Sequence, residues 1–562
     1  MGRIVATAMD EHIRFKSLFS KYLKLGNPNL NNFILSIPSK FDNAVKILNE
    51  NPSPELDENI TINRKNLKNA ISNFHQKSRT LTSTVKSQID LLEEKKLKIV
   101  VAIHQPNLFA FSGVYKKIIL LETLSKYLVN SNNFILPLFL IIDHDFMDDS
   151  WVHVAKLPSV RNASGILDIR YPMNNSKRWK IICRTDPPTH SLVRCWENQI
   201  YSWIKNDKSL TKEQVRLLFS NLEKLWNIVE DSLSLSNNYS EFNSIIMSKI
   251  VNTVWNYRTL FVNLSDLYHT FNQGYNFLLS NHETYLNSLE SSELFFKKHG
   301  ISKGISSNSG KYSPLWLHCS CGSKGYSIVN INSNGELELL GKCISCKRKL
   351  ELNVGKQNSI NIPKDKLSEV SPRAIPILLL LSRELRISGY ITGTGGSLGY
   401  TMIGKKVFDD LKIKMPVLLL WAANDIYTGF AQKEALDLLQ ENNIKDISKF
   451  LFDAHKKSTD YQNQIKPLIS KRNRVYKDGS NNSLSNLLNE LFYYKNEQRK
   501  LKTIIKTVEK SNNALTLKAC IIDYIVNFGM ENLAGKWSSN LIKNNDFTSP
   551  LIMTSYHQDE KN

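Results

Sequence analysis

The sequence predicts a mixed α/β protein built around a strand, a helix and a second strand. The first strand covers residues 100–103 and ends at His104, and the second covers residues 139–142 and ends at Asp143. Between them, residues 113–128 carry apolar side chains at helical spacing. Each apolar run ends abruptly in polar side chains, and open parallel sheets build their sites at the carboxyl ends of such strands.

Length and composition limit the class of protein. A chain of 562 residues is too long for one core, so we expect two or three domains. The longest apolar runs, such as residues 134–142, are too short to span a bilayer, and charged residues interrupt any N-terminal signal peptide. Four of the seven cysteines cluster, which favours a metal in a reducing compartment over a disulfide framework. We therefore expect a cytoplasmic protein with no membrane partner.

The patterns divide the chain into six regions. Residues 484–508 hold a helical apolar period over many turns, which suits an antiparallel hairpin or a dimerising coiled coil. Further strands are expected at residues 166–171 and 180–183. The regions are an N-terminal helical region (1–96), a first part of an α/β core (97–208), a helical connecting region (209–310), a zinc-ribbon-like insertion (311–355), a second part of the core (356–425) and a C-terminal helical and coiled-coil region (426–562).

The net charge of +21 and the pI of about 9.4 raise the question of a nucleic-acid partner. The alternative is a solvated, lysine-rich surface. The lysines are spread along the chain without a long basic tract, and acidic residues interrupt the densest stretch, 471–510. We favour the surface interpretation and do not expect nucleic acid as the main partner.

The first polar cluster is His104-Gln105-Pro106-Asn107. A histidine at a strand end can bind an oxyanion or act as a general acid or base, and the two amides add donors and acceptors. Pro106 stops the strand. The alternative is a capping turn in which Asn107 begins the next helix. A second cluster nearby favours the functional interpretation.

That second cluster is Asp143-His144-Asp145, directly after the second strand. Consecutive charged residues at the end of a buried strand are costly unless they face a cleft or a partner. Such a cluster can bind a metal, an amine or a ribose. The alternative is a helix N-terminus that carries acids to suit the helix dipole. We predict a functional role for all three residues.

A glycine-rich turn, Gly393-Thr394-Gly395-Gly396, follows a predicted strand at residues 389–392. Glycines let backbone amides approach a phosphate or carboxylate closely. The turn is neither a Walker loop nor a G-x-G-x-x-G fingerprint. A plain tight turn remains an alternative.

The cysteines form a C-x-C pair, Cys319 and Cys321, and a C-x-x-C pair, Cys343 and Cys346. Four thiolates make a closed tetrahedral zinc site, so the spacing predicts a zinc ribbon. His318 precedes the first pair and is an alternative ligand. A closed site leaves no position for substrate, so we expect the zinc to be structural.

The motifs resemble, in order, those of the bacillithiol biosynthesis cysteine-adding enzymes, a family of cysteine ligases. The family's strand ending in T-G-Q-Q, followed by Leu-Phe and Gly-Pro-Leu-Tyr, is matched by residues 104–109 and by 112–115, which end at Tyr115. Its D-H-D-F-E-E motif is matched by residues 143–148, and its G-G-P-G-E-x-x-Y loop by 392–400, which end at Tyr400.

The resemblance implies that both parts of the α/β core form one Rossmann-like parallel sheet and that the C-terminal coiled coil makes a homodimer. It implies that cysteine, or a related amino acid, is joined to the amine of a sugar conjugate, as in bacillithiol biosynthesis. We expect a carbon–nitrogen ligase with amino-sugar and amino-acid substrates, and a nucleotide (ATP/ADP) because a free carboxylate does not form an amide without activation.

The predicted roles follow from that reaction. The catalytic set is His104, Asp143, His144 and Asp145. The predicted binding residues for substrate or nucleotide are Gln105, Asn107, Tyr115, Gly393, Gly395, Gly396 and Tyr400. Two alternatives remain: an RNA- or tRNA-associated zinc-ribbon protein on a fold like that of class I synthetases, and a non-catalytic scaffold.

Overall fold

The structure, a computed structural model, describes residues 20–52, 55–128, 134–301, 311–356, 359–393, 396–421, 425–478, 484–545 and 551–553. The strands of the described residues are β1 Leu97–His104, β2 Phe134–Ile141, β3 Val154–Pro158, β4 Ile166–Arg170, β5 Leu260–Asn263, β6 Leu315–His318, β7 Lys324–Ile331, β8 Glu336–Lys342, β9 Lys349–Lys356, β10 Val370–Pro372, β11 Gly389–Gly393, β12 Val417–Trp421, β13 Asp425–Tyr427 and β14 Leu551–Met553.

The α-helices are α1 Pro28–Leu35, α2 Phe41–Glu50, α3 Glu58–Lys77, α4 Ser83–Asp90, α5 Ser112–Leu128, α6 Ser150–His153, α7 Asn175–Arg178, α8 His190–Lys205, α9 Lys212–Leu235, α10 Tyr239–Ser248, α11 Asn272–Ser280, α12 His282–Lys298, α13 Ala374–Glu384, α14 Gly396–Asp410, α15 Phe430–Glu441, α16 Ile447–Asp478, α17 Leu484–Thr516, α18 Ile521–Phe528 and α19 Met530–Asn544. Among these described helices, none combines the length and the apolar character needed to cross a membrane.

The centre of the fold is a five-stranded, all-parallel sheet in the order β12-β11-β1-β2-β5. Helix α5 connects β1 to β2 on one side of the sheet centre, and α14 connects β11 to β12 on the other. The chain therefore changes direction between β1 and β11. Side chains that follow these strands gather at one edge, where a crevice opens at such a switch point. The predicted mixed α/β class is confirmed.

The two strands predicted first are buried because both faces of the sheet are covered. Residues 97–102 of β1 and residues 135–141 of β2 are buried, as expected for apolar runs in a parallel sheet. Lys98 interrupts the first run, and its ammonium donates to the carbonyl oxygens of Leu48 (2.8 Å) and Asn49 (3.1 Å). These bonds satisfy a charge that would otherwise be costly to bury.

Two expectations on secondary structure need correction. The region 209–310, expected to be helical, also supplies β5, the edge strand that pairs with β2. Residues 180–183 were expected to form a strand, but Ile182–Arg184 form a single 3-10 turn. That turn is held by hydrogen bonds from Ile182 N to Asp145 O (2.9 Å) and from Cys183 N to Asp143 O (3.0 Å).

The cysteine-bearing segment forms part of a second, antiparallel sheet in the order β10-β6-β7-β8-β9. One cysteine pair lies in the turn between β6 and β7, and the other lies in the turn between β8 and β9. Lys347, in the second turn, has a φ of +62°, and Gly322, in the first, has a φ of +86°. Such left-handed positions let the chain turn tightly enough to bring thiols together.

The two longest helices, α16 and α17, pack against each other as an antiparallel pair. His455 lies 3.4 Å from Glu509 near one end, and Gln498 donates to the Gln462 side chain (3.0 Å) further along. Leu491 is buried within this pair. The apolar period in residues 484–508 therefore forms an intrachain hairpin, the first of the two alternatives, and dimerisation stays a prediction.

Candidate functional site

A cavity of about 600 Å³ lies at the carboxyl ends of the parallel strands. Its wall takes residues from β1, β11 and β12, from the segment that follows β2, from the helices α5, α13 and α14, and from the cysteine-bearing sheet. The cavity therefore joins segments, such as Ile103 and Trp421, that are more than 300 residues apart in the chain. The predicted site residues in its wall are His104, Gln105, Asn107, His144, Asp145, Gly393 and Tyr400.

His104, the last residue of β1, is a neutral histidine. Its Nδ1 lies 2.9 Å from the carbonyl oxygen of Gln105, and a carbonyl only accepts, so Nδ1 carries the proton. Nε2 is then left as a hydrogen-bond acceptor. Burial, together with the nearby Lys117 ammonium, lowers the pKa of His104 to about 3. The imidazole at the wall is thus unprotonated at neutral pH, and its Nε2 can accept a hydrogen bond.

Gln105 and Asp145 link the first two motifs directly. The Gln105 amide donates to the Asp145 carboxylate at 2.7 Å, which connects the ends of β1 and β2. Asp145 is half-buried in the cavity wall, with the Lys324 ammonium and the Tyr400 hydroxyl in its electrostatic surroundings. A carboxylate in this position can bind a cationic group inside the cavity.

Asn107 is a buried amide with unmet hydrogen-bonding capacity. The residue is 2% exposed, and neither its Nδ2 nor its Oδ1 has a partner among the described residues. Buried polar atoms are normally paired, so this amide is available for a group inside the cavity. Phe109, two residues on, has a φ of +42°, a strained value for a bulky side chain and one that is common at functional turns.

Two lysines in the wall were not among the predicted site residues. Lys117 on α5 donates to the carbonyl oxygen of Ile103 (3.2 Å), and burial lowers its pKa to about 8. Lys324 on β7 donates to the carbonyl oxygen of His144 (2.5 Å), and burial lowers its pKa to about 8 as well. The Lys324 ammonium also lies over the ring of Trp316, 4.4 Å from its centre. Both cations are suited to an anionic ligand.

The sequence contains only weak indications that Lys117 and Lys324 belong to the site. Lys117 is one of four charged residues in helix α5, and the sequence does not distinguish it from its neighbour Lys116. Lys324 follows the first cysteine pair and looks like an ordinary turn residue. Only the packing of the second sheet against the first brings Lys324 to the cavity.

Two predicted site residues lie outside the cavity wall. Asp143 is 1% exposed and accepts hydrogen bonds from the Ser265 backbone N–H (3.0 Å) and hydroxyl (2.5 Å). Burial raises the pKa of Asp143 to about 7, although the Ser265 hydroxyl acts in the opposite direction. Tyr115 is also 1% exposed, and its ring packs edge-on against Trp255 (5.8 Å between centres). Neither side chain contacts the cavity directly.

Of the glycine-rich turn, the structure describes Gly393 and Gly396. Gly393 ends β11 in the cavity wall, and a Cβ at this position would meet only the Lys117 side chain, at 4.0 Å. Gly396 is the first residue of α14. Gly395, predicted with them, lies outside the described residues. Tyr400, one turn into α14, reaches the wall, and burial raises its pKa.

The four cysteines of the two turns come together as one cluster. Their sulfur atoms lie within 4.8 Å of one another, with Cys319 to Cys346 at 3.6 Å and Cys321 to Cys343 at 3.5 Å. Sulfurs around a tetrahedral zinc are separated by about 3.8 Å, so the four thiols fit that ion. His318, the alternative ligand, instead faces Ser371 through Nε2 at 2.8 Å.

No family model matches this chain, and no curated protein matches it either. The resemblance to the cysteine-adding enzymes therefore stays a prediction drawn from three short motifs. The chemistry of the cavity has to be inferred from its own residues.

Proposed function

We propose that this protein is a carbon–nitrogen ligase that joins an amino acid, cysteine or a relative, to the amine of a sugar conjugate. The observation that carries the proposal is the composition of the cavity. One space of about 600 Å³ contains a neutral histidine, a carboxylate and two buried ammonium groups. Those are a proton acceptor, an amine-binding group and two groups for the anion that must leave when an amide forms.

The strand order supports a nucleotide in the same cavity. Numbered in chain order, the five parallel strands stand 3-2-1-4-5, the order of the Rossmann-like sheets that bind nucleotides at their switch point. The glycine-rich turn after β11 lies at that switch. We therefore keep ATP as the source of activation, with its phosphates near Lys117, Lys324 and Gly393.

The proposed chemistry assigns one task to each group. ATP bound in the cavity would activate the carboxylate of the amino acid as an acyl phosphate or an acyl adenylate, and the sugar amine would then attack the activated carbonyl carbon. The C–N bond would form as the C–O bond to the phosphate or to AMP breaks, and that anion would leave with the electron pair. His104 Nε2 takes the proton that the amine loses, and Lys117 and Lys324 stabilise the departing anion.

The amine needs a second contact to approach in the right direction. Asp145, held in place by Gln105, is the carboxylate that binds the ammonium before it loses its first proton to solvent and attacks as the free amine. The open amide of Asn107 binds a hydroxyl or carboxylate of either substrate. The choice of cysteine and of an amino sugar rests on the motif resemblance.

The cysteine cluster lies in the sheet that carries residues of the cavity wall. We propose that the four thiolates hold one structural zinc in a zinc-ribbon-like unit, because their spacing fits that ion. The same sheet carries Trp316 and Lys324 into the cavity wall. A metal that fixes the two turns also fixes these side chains.

The proposal is tested by direct detection of the reaction. Purified protein is incubated with ATP, L-cysteine and a glucosamine–malate conjugate, and the amide product and nucleotide hydrolysis are followed by mass spectrometry. We expect an amide product with one ATP consumed per bond. Serine and alanine in place of cysteine report on selectivity, and other amino sugars on the acceptor. Absence of any ATP-dependent amide across that panel contradicts the proposal.

Matched variants assign the reaction to the cavity. Asp145→Asn removes the charge that binds the amine and should raise KM for the sugar substrate by tenfold or more, the effect of about 1.5–3 kcal/mol for a charged hydrogen bond. Asp148→Asn changes an exposed carboxylate three residues away that faces Arg178 at 3.7 Å. Equal kinetics for these two variants would remove Asp145 from the site.

A further inference from the structure

A second group of potential metal ligands lies beside the cavity, separate from the four-cysteine cluster. It consists of Asp143, His144 and Cys183, whose ligand atoms lie within 4.8 Å of one another. Cys183 comes from the 3-10 turn Ile182–Arg184, forty residues after the other two. The hydrogen bond from Cys183 N to Asp143 O (3.0 Å) joins that turn to the end of β2.

Two of the three side chains are buried without a full set of polar partners. His144 is 9% exposed, and its Nδ1 has no hydrogen-bond partner among the described residues. The Asp143 carboxylate is 1% exposed, and within the described residues its recorded side-chain bonds come from Ser265 alone, with no ion pair. A buried carboxylate without a cation and a buried imidazole nitrogen without a partner are each costly. One bound cation would be a partner for both the Asp143 carboxylate and the His144 nitrogen.

We propose that Asp143, His144 and Cys183 bind a second divalent metal ion, zinc by the chemistry of its ligands. One carboxylate oxygen, one imidazole nitrogen and one thiolate suit a borderline-soft ion that takes N, O and S ligands together. The thiolate and the carboxylate offset the two positive charges of the ion. Around tetrahedral zinc the ligand atoms lie about 3.3–3.8 Å apart, a spacing compatible with three ligand atoms that lie within 4.8 Å of one another.

The neighbours of the three residues are arranged as supports of a metal site. The Ser265 N–H and hydroxyl fix the orientation of the Asp143 carboxylate, as outer-shell donors do for metal-bound carboxylates. The His318 ring lies edge-on to the His144 ring, with centres 4.9 Å apart, and limits its rotation. Lys324 and Arg184 add nearby positive charge, which weakens the affinity for a cation and is outweighed when Cys183 binds as a thiolate.

The site differs in kind from the four-cysteine cluster. Three protein ligands leave a fourth position open, which is the arrangement of metal ions that contact substrate. His144 lies in the cavity wall, so the proposed site borders the cavity. The metal-binding claim itself does not depend on the ligase activity.

Metal content tests the site. Full-length protein reconstituted with zinc and freed of excess metal should contain two zinc ions per chain by inductively coupled plasma mass spectrometry. Cys183→Ser should contain one. Cys195→Ser, which changes an exposed free thiol elsewhere, should keep two. One zinc in the reconstituted wild type, or two in Cys183→Ser, overturns the proposal.

Cobalt substitution provides a second readout that does not depend on stability. The difference spectrum between cobalt-loaded wild type and cobalt-loaded Cys183→Ser should contain a thiolate-to-cobalt charge-transfer band. Its intensity should be about a quarter of that of the four-cysteine site, because intensity follows the number of thiolate ligands. His144→Ala, which keeps the thiol, should lose the same band. A featureless difference spectrum contradicts the site even if both proteins are folded.

Discussion

Replacing Lys117 with methionine should make the protein more stable and less active at the same time. The lysine is 8% exposed, and burial lowers its pKa from 10.5 to about 8. At pH 7 that difference lowers the free energy of unfolding by about 3 kcal/mol, because the ammonium stays charged in the folded state. Losing the hydrogen bond to Ile103 O costs about 1 kcal/mol, so Lys117→Met should gain about 2 kcal/mol.

The stability gained by Lys117→Met depends on pH. Between about pH 8 and pH 10.5 the unfolded chain binds more protons than the folded one at Lys117, so the wild type gains stability as pH rises through that window. The advantage of Lys117→Met is therefore largest below pH 8 and vanishes near pH 10.5. For a chain of 562 residues the unfolding entropy is about 1.2 kcal/mol/K, so the melting temperature at pH 7 should rise by about 2 °C.

Calorimetry and kinetics on the same protein decide the prediction. Lys65→Met is the control, since that lysine is exposed on helix α3. It should change melting and turnover little. Lys117→Met should melt higher at pH 7 and lose at least tenfold in kcat/KM for the anionic substrate. A lower melting temperature, or normal turnover, refutes the reasoning that Lys117 is kept charged for function.

Three further predictions follow from other parts of the molecule. Cys343→Ser should lose the zinc of the four-cysteine cluster and melt at a lower temperature, and an unchanged melting curve in zinc-free protein contradicts a structural zinc. If the hairpin dimerises, Glu in place of Leu488 and Phe492, which are 37% and 67% exposed, should give monomers by light scattering. Leu491→Glu, at a buried hairpin position, should instead unfold the hairpin, and a wild type that is monomeric at micromolar concentration removes the basis for the dimer. Binding to RNA should be weak and fall steeply with salt, and tight, salt-resistant binding to one RNA would favour the alternative function.

The sequence predicted that the site lies where the parallel strands end. An apolar run that stops at His104 marks a carboxyl edge, and the same holds for the run before residues 143–145. Because parallel strands share that edge, the motifs meet in one cavity with Gly393 and Tyr400. The four cysteines were predicted from spacing, since a closed metal site requires little more than two short turns.

The sequence could not predict which way individual side chains point, or which segments far apart in the chain come into contact. Successive residues after a strand point to different sides, so the pattern could not tell that Asp143 faces Ser265 while Asp145 faces the cavity. Lys324 reaches the wall only through packing of the second sheet, about 200 residues from Lys117. The four-residue strand β5 is too short to show a period within a helical region.

The most direct test of the account is the rate constant of amide formation in His104→Ala. If His104 Nε2 accepts the proton from the attacking amine, kcat/KM should fall by about a hundredfold or more while melting changes little. His190→Ala, at an exposed histidine outside the cavity, should match the wild type. A folded His104→Ala protein with turnover within twofold of wild type would contradict the catalytic role of the cavity.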